Sequence, residues 1–161
     1  DQDDPKTSLA HIDDSWGLAQ FQDEDGEIRL IRFNSGFIPW RGKQAFPVRM
    51  GIAIPTEDSD FGEDVEEALA KAEEKLFEAC KASGRAVITL FITEPHYKEA
   101  LLYIQEQSVG EAIMDQLAAL NLGLEFQYYF DDDADWQVYW LVADDLDLLP
   151  KMPDEATGET A

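Results

Sequence analysis

The sequence is poor in the residues on which covalent and acid–base chemistry most often depends. It has one cysteine, Cys80, and two histidines, His11 and His96, among 161 residues. A single cysteine excludes a disulfide within the chain, and histidine is the most frequent general base in enzymes. A glycine-rich phosphate loop, a paired-cysteine motif and a serine-hydrolase motif are also lacking. We therefore predict no catalytic residue, no bound cofactor and no metal site, and we expect that the protein is not an enzyme.

Basic residues are scarce as well. The chain has 12 lysines and arginines against 35 aspartates and glutamates, which gives a net charge of -23. Such a chain repels phosphate backbones and anionic lipids, so we expect no direct binding to nucleic acid and no binding to membranes. A basic protein, a polyamine or a divalent cation would be attracted instead. The alternative is that the charge serves only solubility.

Long hydrophobic runs are absent too. No stretch approaches the roughly 20 apolar residues that cross a bilayer. The first residues, DQDDPKTSLAHIDD, have neither the basic start nor the apolar run of a secretory signal. We therefore expect a soluble protein of the reducing bacterial cytosol.

The distribution of polar residues predicts one domain with polar ends. Residues 1–14 and 150–161 are polar and acidic, which is typical of a flexible arm and a flexible tail. Residues 15–149 show no linker and no internal repeat, and an aromatic fraction of 11% argues against wholesale disorder. We therefore predict a single domain over residues 15–149.

The first half of this domain reads as a β-hairpin, a strand and a helix. WGLAQFQ (16–22) and EIRLIRF (27–33) are strand-like and flank a turn at Gly26. After a loop, residues 46–55 predict a third strand. The following helix ends near Gly84, and its apolar residues recur at spacings of three and four. These residues are Val65, Leu69, Ala72, Leu76, Ala79 and Cys80.

The second half continues with two strands, a helix and a strand. Residues 85–95 and 96–105 are predicted strands, Ser108 and Glu111 form a capping box at the start of a helix, and residues 124–130 are the last strand. After the hairpin, the order is thus strand, helix, strand, strand, helix, strand. This is the ferredoxin-like βαββαβ pattern, an antiparallel sheet with two helices on one face. We predict an α+β fold of this type, preceded by the hairpin and followed by a C-terminal helix.

The stretch FDDDADWQVYWLV (130–142) places aspartates directly before aromatic rings. If the stretch is a strand, alternate residues share one face and bring rings together there. If it is a helix, residues three and four apart share one face, and a different set of side chains comes together. A helix is favoured because Asp133 or Asp135 can cap its start and Pro150 can end it. We then expect the rings to face the core and the aspartates to meet solvent.

A calcium site is the sharper alternative for this stretch. Asp131, Asp133 and Asp135 have the first, third and fifth positions of an EF-hand loop. The sixth position should be glycine and is Trp136, and the twelfth should be glutamate and is Val142. The pattern therefore fails at both positions.

Three segments together resemble a known family. The chain resembles the bacterial domain of unknown function 695 in the order of three segments: EEKLFEACKASGRAVITLFIT, YKEALLYI and DADWQVY. The resemblance covers roughly residues 16–149. The family usually has a glycine and an arginine after the threonine-ended strand, where this chain has TEPHYKEA with Pro95 and Lys98. The resemblance implies an α+β domain without established chemistry. Some proteins with this domain also resemble the acidic regulator of ribonuclease activity B, which is similar in size and charge. That similarity implies binding and inhibition of a basic protein.

Charge and aromatic residues favour a non-enzymatic protein-binding module. We predict an inhibitor or immunity-type regulator of a basic nuclease or toxin-like protein. The alternatives are a hydrolase with a carboxylate-bound divalent ion and a structural module. Trp40 and Arg41 lie in the loop FIPWRGKQAFP, where Trp40 either anchors a partner or plugs the end of the sheet. The candidate partner-binding residues are Trp40, Arg41, Asp60, Glu63, Asp64, Glu67, Asp131, Asp132, Asp133 and Asp135.

Overall fold

A computed structural model describes residues 12, 14–22, 24–55, 63–94 and 97–148, without the side chains of residues 63–65. This part of the chain forms six strands and three α-helices. In chain order they are β1 (Trp16–Gln22), β2 (Ile28–Asn34), β3 (Val48–Pro55), α1 (Glu63–Ser83), β4 (Ala86–Glu94), β5 (Tyr97–Ile104), α2 (Gln107–Ala118), β6 (Gln127–Asp132) and α3 (Gln137–Asp145). Two short 3-10 turns, Ser35–Phe37 and Lys43–Ala45, interrupt the loop between β2 and β3.

The strands form one antiparallel sheet in the order β1-β2-β4-β5-β3-β6. The α+β class and the amino-terminal hairpin are thereby confirmed. Gly26 has the positive φ that the hairpin turn needs, +82°, and its carbonyl accepts a hydrogen bond from the Gln22 side chain. In this sheet β1 and β6 are the two edge strands, so they lie at opposite sides of the molecule.

Both α1 and α2 pack on one face of the sheet, as predicted. Their apolar stripes meet alternate residues of β3, β4 and β5, and the helices also contact each other. Cys80 lies in this core, and burial raises the pKa of its thiol to about 12. The core contains Met50, Ile52, Leu76, Ala79, Cys80, Ala86, Ile88, Phe91, Ala100, Leu102, Ile104, Val109, Ile113, Met114 and Leu117.

The loop after β2 and helix α3 cover the opposite face. Here the core is rich in aromatic rings, with Trp136 stacked on Tyr103 and Tyr139 stacked on Phe33. The sheet is therefore buried on both sides over its central strands. This second core contains Ile31, Phe33, Phe37, Trp40, Phe46, Val87, Leu90, Leu101, Tyr103, Trp136, Tyr139 and Ala143.

A β-bulge in β4 reverses the alternation of its side chains between the two cores. The register with β5 shifts between Ile88 and Leu90, so Leu90 faces the aromatic core whereas Ile88 faces the helices. Thr89 is the extra residue, and its buried hydroxyl donates a hydrogen bond to the Leu101 carbonyl oxygen at 2.9 Å. The bulge thus changes which face the side chains of β4 occupy.

Two details of the sequence-based account need correction. The capping box is wrong, because α2 begins at Gln107 and the Ser108 hydroxyl donates to the Glu106 carboxylate at 2.9 Å. The last strand begins at Gln127 and continues to Asp132, three residues later than expected at its start. The predicted arm and tail fall mostly outside the described residues, although Ile12 packs on the aromatic core.

The close packing of α2 on the sheet can be tested at Gly110. A Cβ at this position would lie 2.6 Å from the Met50 sulfur and would also meet the Phe130 ring. We expect Gly110→Ala to lower the free energy of unfolding by roughly 1–3 kcal/mol, because overpacking outweighs the better helix propensity of alanine. Urea unfolding followed by circular dichroism measures the difference.

Ala112→Gly, on the exposed side of the same helix, is the control for propensity alone. It should cost about 1 kcal/mol. A Gly110→Ala variant that is more stable than the wild type would contradict the close packing.

Candidate protein-binding surface

Strand β6 and the helices α2 and α3, which pack on opposite faces of the sheet, carry acids and no lysine or arginine. The sequence has no lysine or arginine between Lys98 and Lys151, and these three elements lie within that interval. Helix α1, in contrast, carries lysines among its glutamates. The exposed acids of the interval are Glu106, Glu111, Asp115, Glu125, Asp131, Asp132, Asp135, Asp144, Asp145 and Asp147.

Strand β6 brings aromatic rings into this acidic region. Tyr128 is 47% exposed and Tyr129 is 42% exposed, and as neighbours in a strand they point to opposite faces of the sheet. Asp131 and Asp132 end the strand, and Asp135 follows in the turn to α3. We call Tyr128, Tyr129, Asp131, Asp132 and Asp135 the acidic edge.

The backbone of the acidic edge is open to an incoming strand. The Asp133 amide donates to the Pro47 carbonyl oxygen at 2.8 Å, which continues the pairing with β3. Because antiparallel pairing alternates, the N–H and C=O groups of Tyr128, Phe130 and Asp132 point away from β3. No other described strand pairs with this side of β6.

Tyr129 is held in a fixed orientation. Its ring lies over Gly51 of β3, where a Cβ would clash with it. Its hydroxyl donates to the Glu99 carboxylate at 2.9 Å. Burial and the charge of Glu99 raise the pKa of Tyr129 to about 12, so the hydroxyl stays protonated at neutral pH. A ring that is already ordered loses little conformational entropy when a partner binds.

An open groove lies beside Tyr128, between the end of α2 and β6. It has a volume of about 510 Å³, and its walls include Met114, Leu117, Phe126 and Tyr128. Asp115 lies at the same groove. The groove can therefore accept an apolar side chain next to a negative charge.

Asp133 is buried beside the acidic edge and holds its backbone in place, so its carboxylate is not part of the surface. Its buried carboxylate accepts hydrogen bonds from Tyr103 Oη at 2.7 Å and Arg49 Nη1 at 2.9 Å. It also accepts from the amides of Gln137 at 2.8 Å and Val138 at 3.3 Å. Burial by itself would raise the pKa of Asp133, but these hydrogen bonds outweigh burial and lower it. The prediction that Asp133 contacts a partner is therefore wrong, because its carboxylate is enclosed by the fold.

The start of α3 combines a correct prediction with an incorrect one. The stretch is a helix, and Trp136 and Tyr139 face the core. The residue that precedes the helix is Trp136, with a left-handed φ of 57°, and Asp133 satisfies the first amides from further back. Asp135 is exposed and is not the cap. The Trp136 ring holds the turn in place, since its Nε1 donates to the Phe46 carbonyl oxygen at 2.9 Å.

Two of the three carboxylates of the calcium alternative are engaged by arginine. Arg49 binds Asp131 at 3.0 Å and Asp133 at 2.9 Å. Among the described residues, no group of three or more His, Cys, Asp or Glu side chains is placed to hold a metal ion. The spacing of these aspartates therefore reflects an ion-pair network around Arg49.

Trp40 is buried, which overturns its predicted role as an exposed anchor. Its ring packs against Phe37, Phe46 and Trp136 at centroid distances of 5.5–6.0 Å, and 5% of the residue is accessible. Trp40 is part of the aromatic core that covers one face of the sheet. Arg41 follows it in the loop and is exposed.

The Lys43 side chain stabilises the same loop. Its ammonium group donates to the carbonyl oxygens of Ile38 at 3.2 Å and Trp40 at 2.6 Å. It also lies over the rings of Trp136 and Trp140. Burial lowers the pKa of Lys43 to about 8, while the carbonyl oxygens and ring faces favour its charged form. The loop thus contributes packing rather than a binding surface.

The other predicted acidic surface, at the start of α1, is only partly described. Asp60 lies outside the described residues, and Glu63 and Asp64 begin α1 with side chains that are not described. Glu67 is exposed and pairs with Lys71 at 3.2 Å. An exposed pair of this kind reduces the local negative charge, so α1 is a weaker candidate than the acidic edge.

The residues that sequence reasoning missed are Tyr128, Tyr129, Glu99 and Arg49. Two adjacent tyrosines in a strand indicate that one ring lies on each face of the sheet. Their exposure depends on β6 being an edge strand, which the strand order alone reveals.

The model of the family of unknown function DUF695 matches residues 14–142, and the chain therefore belongs to this family. The match covers the whole sheet and most of α3. No curated protein and no solved structure matches the chain significantly. Within the described residues, none of the helices is long and apolar enough to span a bilayer.

The role of Asp133 can be tested by Asp133→Asn. Near neutral pH we expect the free energy of unfolding to fall by about 3 kcal/mol, because Arg49 loses its buried counter-charge. The folded-state pKa of Asp133 is lowered. Its stabilisation is therefore present above the unfolded-state pKa of about 3.9 and is lost as the pH falls through the folded-state value. Urea unfolding at several pH values should show the two proteins converging in acid.

Asp132→Asn removes an exposed neighbouring charge and is the matched control. We expect it to change stability by less than about 0.5 kcal/mol. Equal losses for the two variants, or a difference that persists unchanged at acid pH, would show that Asp133 is not the anchor.

Proposed function

We propose that the protein is a non-enzymatic binding module whose acidic edge binds a basic partner protein. The observation that carries this proposal is the exposure of two tyrosines on an edge strand that is flanked by exposed acids. The region has no lysine or arginine of its own apart from Arg49, which reaches it from β3. A cationic surface is the natural complement of such a site.

The acidic side chains and the tyrosine rings would have separate roles in binding. The exposed acids of α2, β6 and α3, in a chain of net charge -23, would draw a basic protein in and orient it, which raises the association rate. Exposed charges at the rim of an interface contribute little affinity by themselves. Tyr128 and Tyr129 would contribute contact area, and tyrosine is one of the residues enriched in protein interfaces.

A basic partner of this kind would be a nuclease or toxin-like protein, since such proteins carry positive surfaces for nucleic acid. The protein would then act as an inhibitor or immunity-type regulator by covering that surface. The chemistry of this partner is inferred from the charge of the acidic edge.

We also propose that β3 to β6, with α1 and α2, form a ferredoxin-like unit. These four strands lie in the order β6-β3-β5-β4, so the fourth strand of the unit is next to the first and the third is next to the second. The hairpin of β1 and β2 would extend the unit at β4, and α3 would cover its second face. The acidic edge would then be the free edge of this unit.

The proposal is tested by neutralising the edge and comparing it with a second acidic surface. The variant Asp131→Asn/Asp132→Asn/Asp135→Asn changes the edge. Glu66→Gln/Glu67→Gln/Glu74→Gln removes the same charge from the exposed side of α1. Immobilised wild-type protein should retain a basic protein from native lysate at low salt and release it at high salt.

The purified retained protein is then titrated against each variant by calorimetry. We expect the edge variant to bind about tenfold more weakly, since three exposed charges of roughly 0.5 kcal/mol each amount to about 1.4 kcal/mol. The α1 variant should bind like the wild type. Retention of no basic protein at low salt, or equal losses for the two variants, would contradict the proposal.

A further inference from the structure

The opposite edge strand, β1, has no charged residue. Its sequence is WGLAQFQ in a chain in which 29% of residues are charged. Leu18 is 68% exposed, Trp16 is 39% exposed and Phe21 is 36% exposed. Edge strands are normally protected from pairing by charged residues, and β1 has none of its own. We propose that β1 is a dimer interface, at which two copies of the chain pair their β1 strands in antiparallel orientation.

The backbone of β1 is available for this pairing. The Ser35 amide donates to the Ser15 carbonyl oxygen at 2.9 Å, immediately beyond the ladder that joins β1 to β2. Because antiparallel hydrogen bonds alternate, the N–H and C=O groups of Trp16, Leu18, Gln20 and Gln22 point away from β2. Antiparallel pairing centred on Ala19 places Trp16 opposite Gln22 of the second copy and Leu18 opposite Gln20. All of these residues present their backbone groups outward, so this register satisfies both strands.

The side chains are complementary in the same register. Gly17 lies opposite Phe21 of the second copy, and among the described residues no atom lies within 4 Å of the position that a Cβ of residue 17 would occupy. Phe21 is an exposed ring of the size that such a space accepts. A ring that covers a glycine on the neighbouring strand is a known way of stabilising a β-pair. Twofold symmetry makes this contact twice.

Charge selects a second copy as the occupant of this edge. Two chains of charge -23 repel each other, so they can meet closely only where carboxylates are sparse. Strand β2, next to β1, also carries Arg29 and Arg32, which pair with Glu94 and Glu73. At each end of the paired strands this register brings Glu24 of one copy near Asp14 of the second, a like-charge contact that salt weakens. A basic partner would gain nothing from β1 and would bind the acidic edge instead.

Sedimentation equilibrium of the purified protein over a wide concentration range tests the proposal. We expect the mass to rise from 18.2 kDa towards twice that value. Dimerisation should strengthen at higher salt, because salt screens the repulsion between the copies. Binding of a basic partner has the opposite salt dependence, so failure of one proposal is distinguishable from failure of the other.

The variant Leu18→Glu/Gln20→Glu places like charges directly opposite each other across the interface. It should weaken dimerisation at least about tenfold. Leu141→Glu/Gln137→Glu makes the same changes on the exposed side of α3, where Leu141 is 63% exposed, and should leave the dimer intact. Gly17→Leu fills the space that Phe21 of the second copy would occupy and should also weaken it. Thermal melts of the monomeric variants establish that they remain folded.

A protein that stays at 18.2 kDa over the whole range at high salt would overturn the proposal. A dimer that survives both β1 variants, or that is lost equally in the α3 control, would also overturn it.

Discussion

The buried carboxylate of Asp133 connects the parts of the fold on which the acidic edge depends. It joins Arg49 of β3, Tyr103 of β5 and the first amides of α3. These contacts place α3 over the aromatic core and hold the turn that carries Asp131, Asp132 and Asp135 at the end of β6. An ionised carboxylate is costly to bury unless it is hydrogen-bonded and paired. The exposed aspartates beside it are therefore positioned by one that is not exposed.

The two edges of the sheet differ in charge, and this difference organises the proposed functions. Strand β6 has aspartates, two accessible tyrosines and a neighbouring groove. Strand β1 has accessible apolar side chains and no charge. A cationic partner and a second copy of the chain would therefore bind at opposite sides of one sheet. Neither interaction would exclude the other, so a dimer could present two acidic edges.

Sequence patterns predicted the elements well because each pattern has a local cause. Alternating or continuous apolar residues produced the strands, and the stripe from Leu69 to Cys80 produced α1. The burial and exposure of the candidate binding residues depend instead on tertiary contacts. Asp133 is one of four aspartates within residues 131–135, and its burial depends on Arg49 and Tyr103, which are distant in sequence. Trp40 is buried because the loop folds onto Trp136, and the exposure of Tyr128 depends on strand order.

The most direct test of the central claim is a residue-by-residue measurement of the electrostatic potential in solution. Paramagnetic relaxation of amide protons by cationic and anionic nitroxide molecules of equal size reports the potential near each residue. The account predicts the most negative potential along α2, β6 and the start of α3, and the weakest along β1. A potential of similar magnitude around the whole surface, including β1, would contradict an organised acidic side.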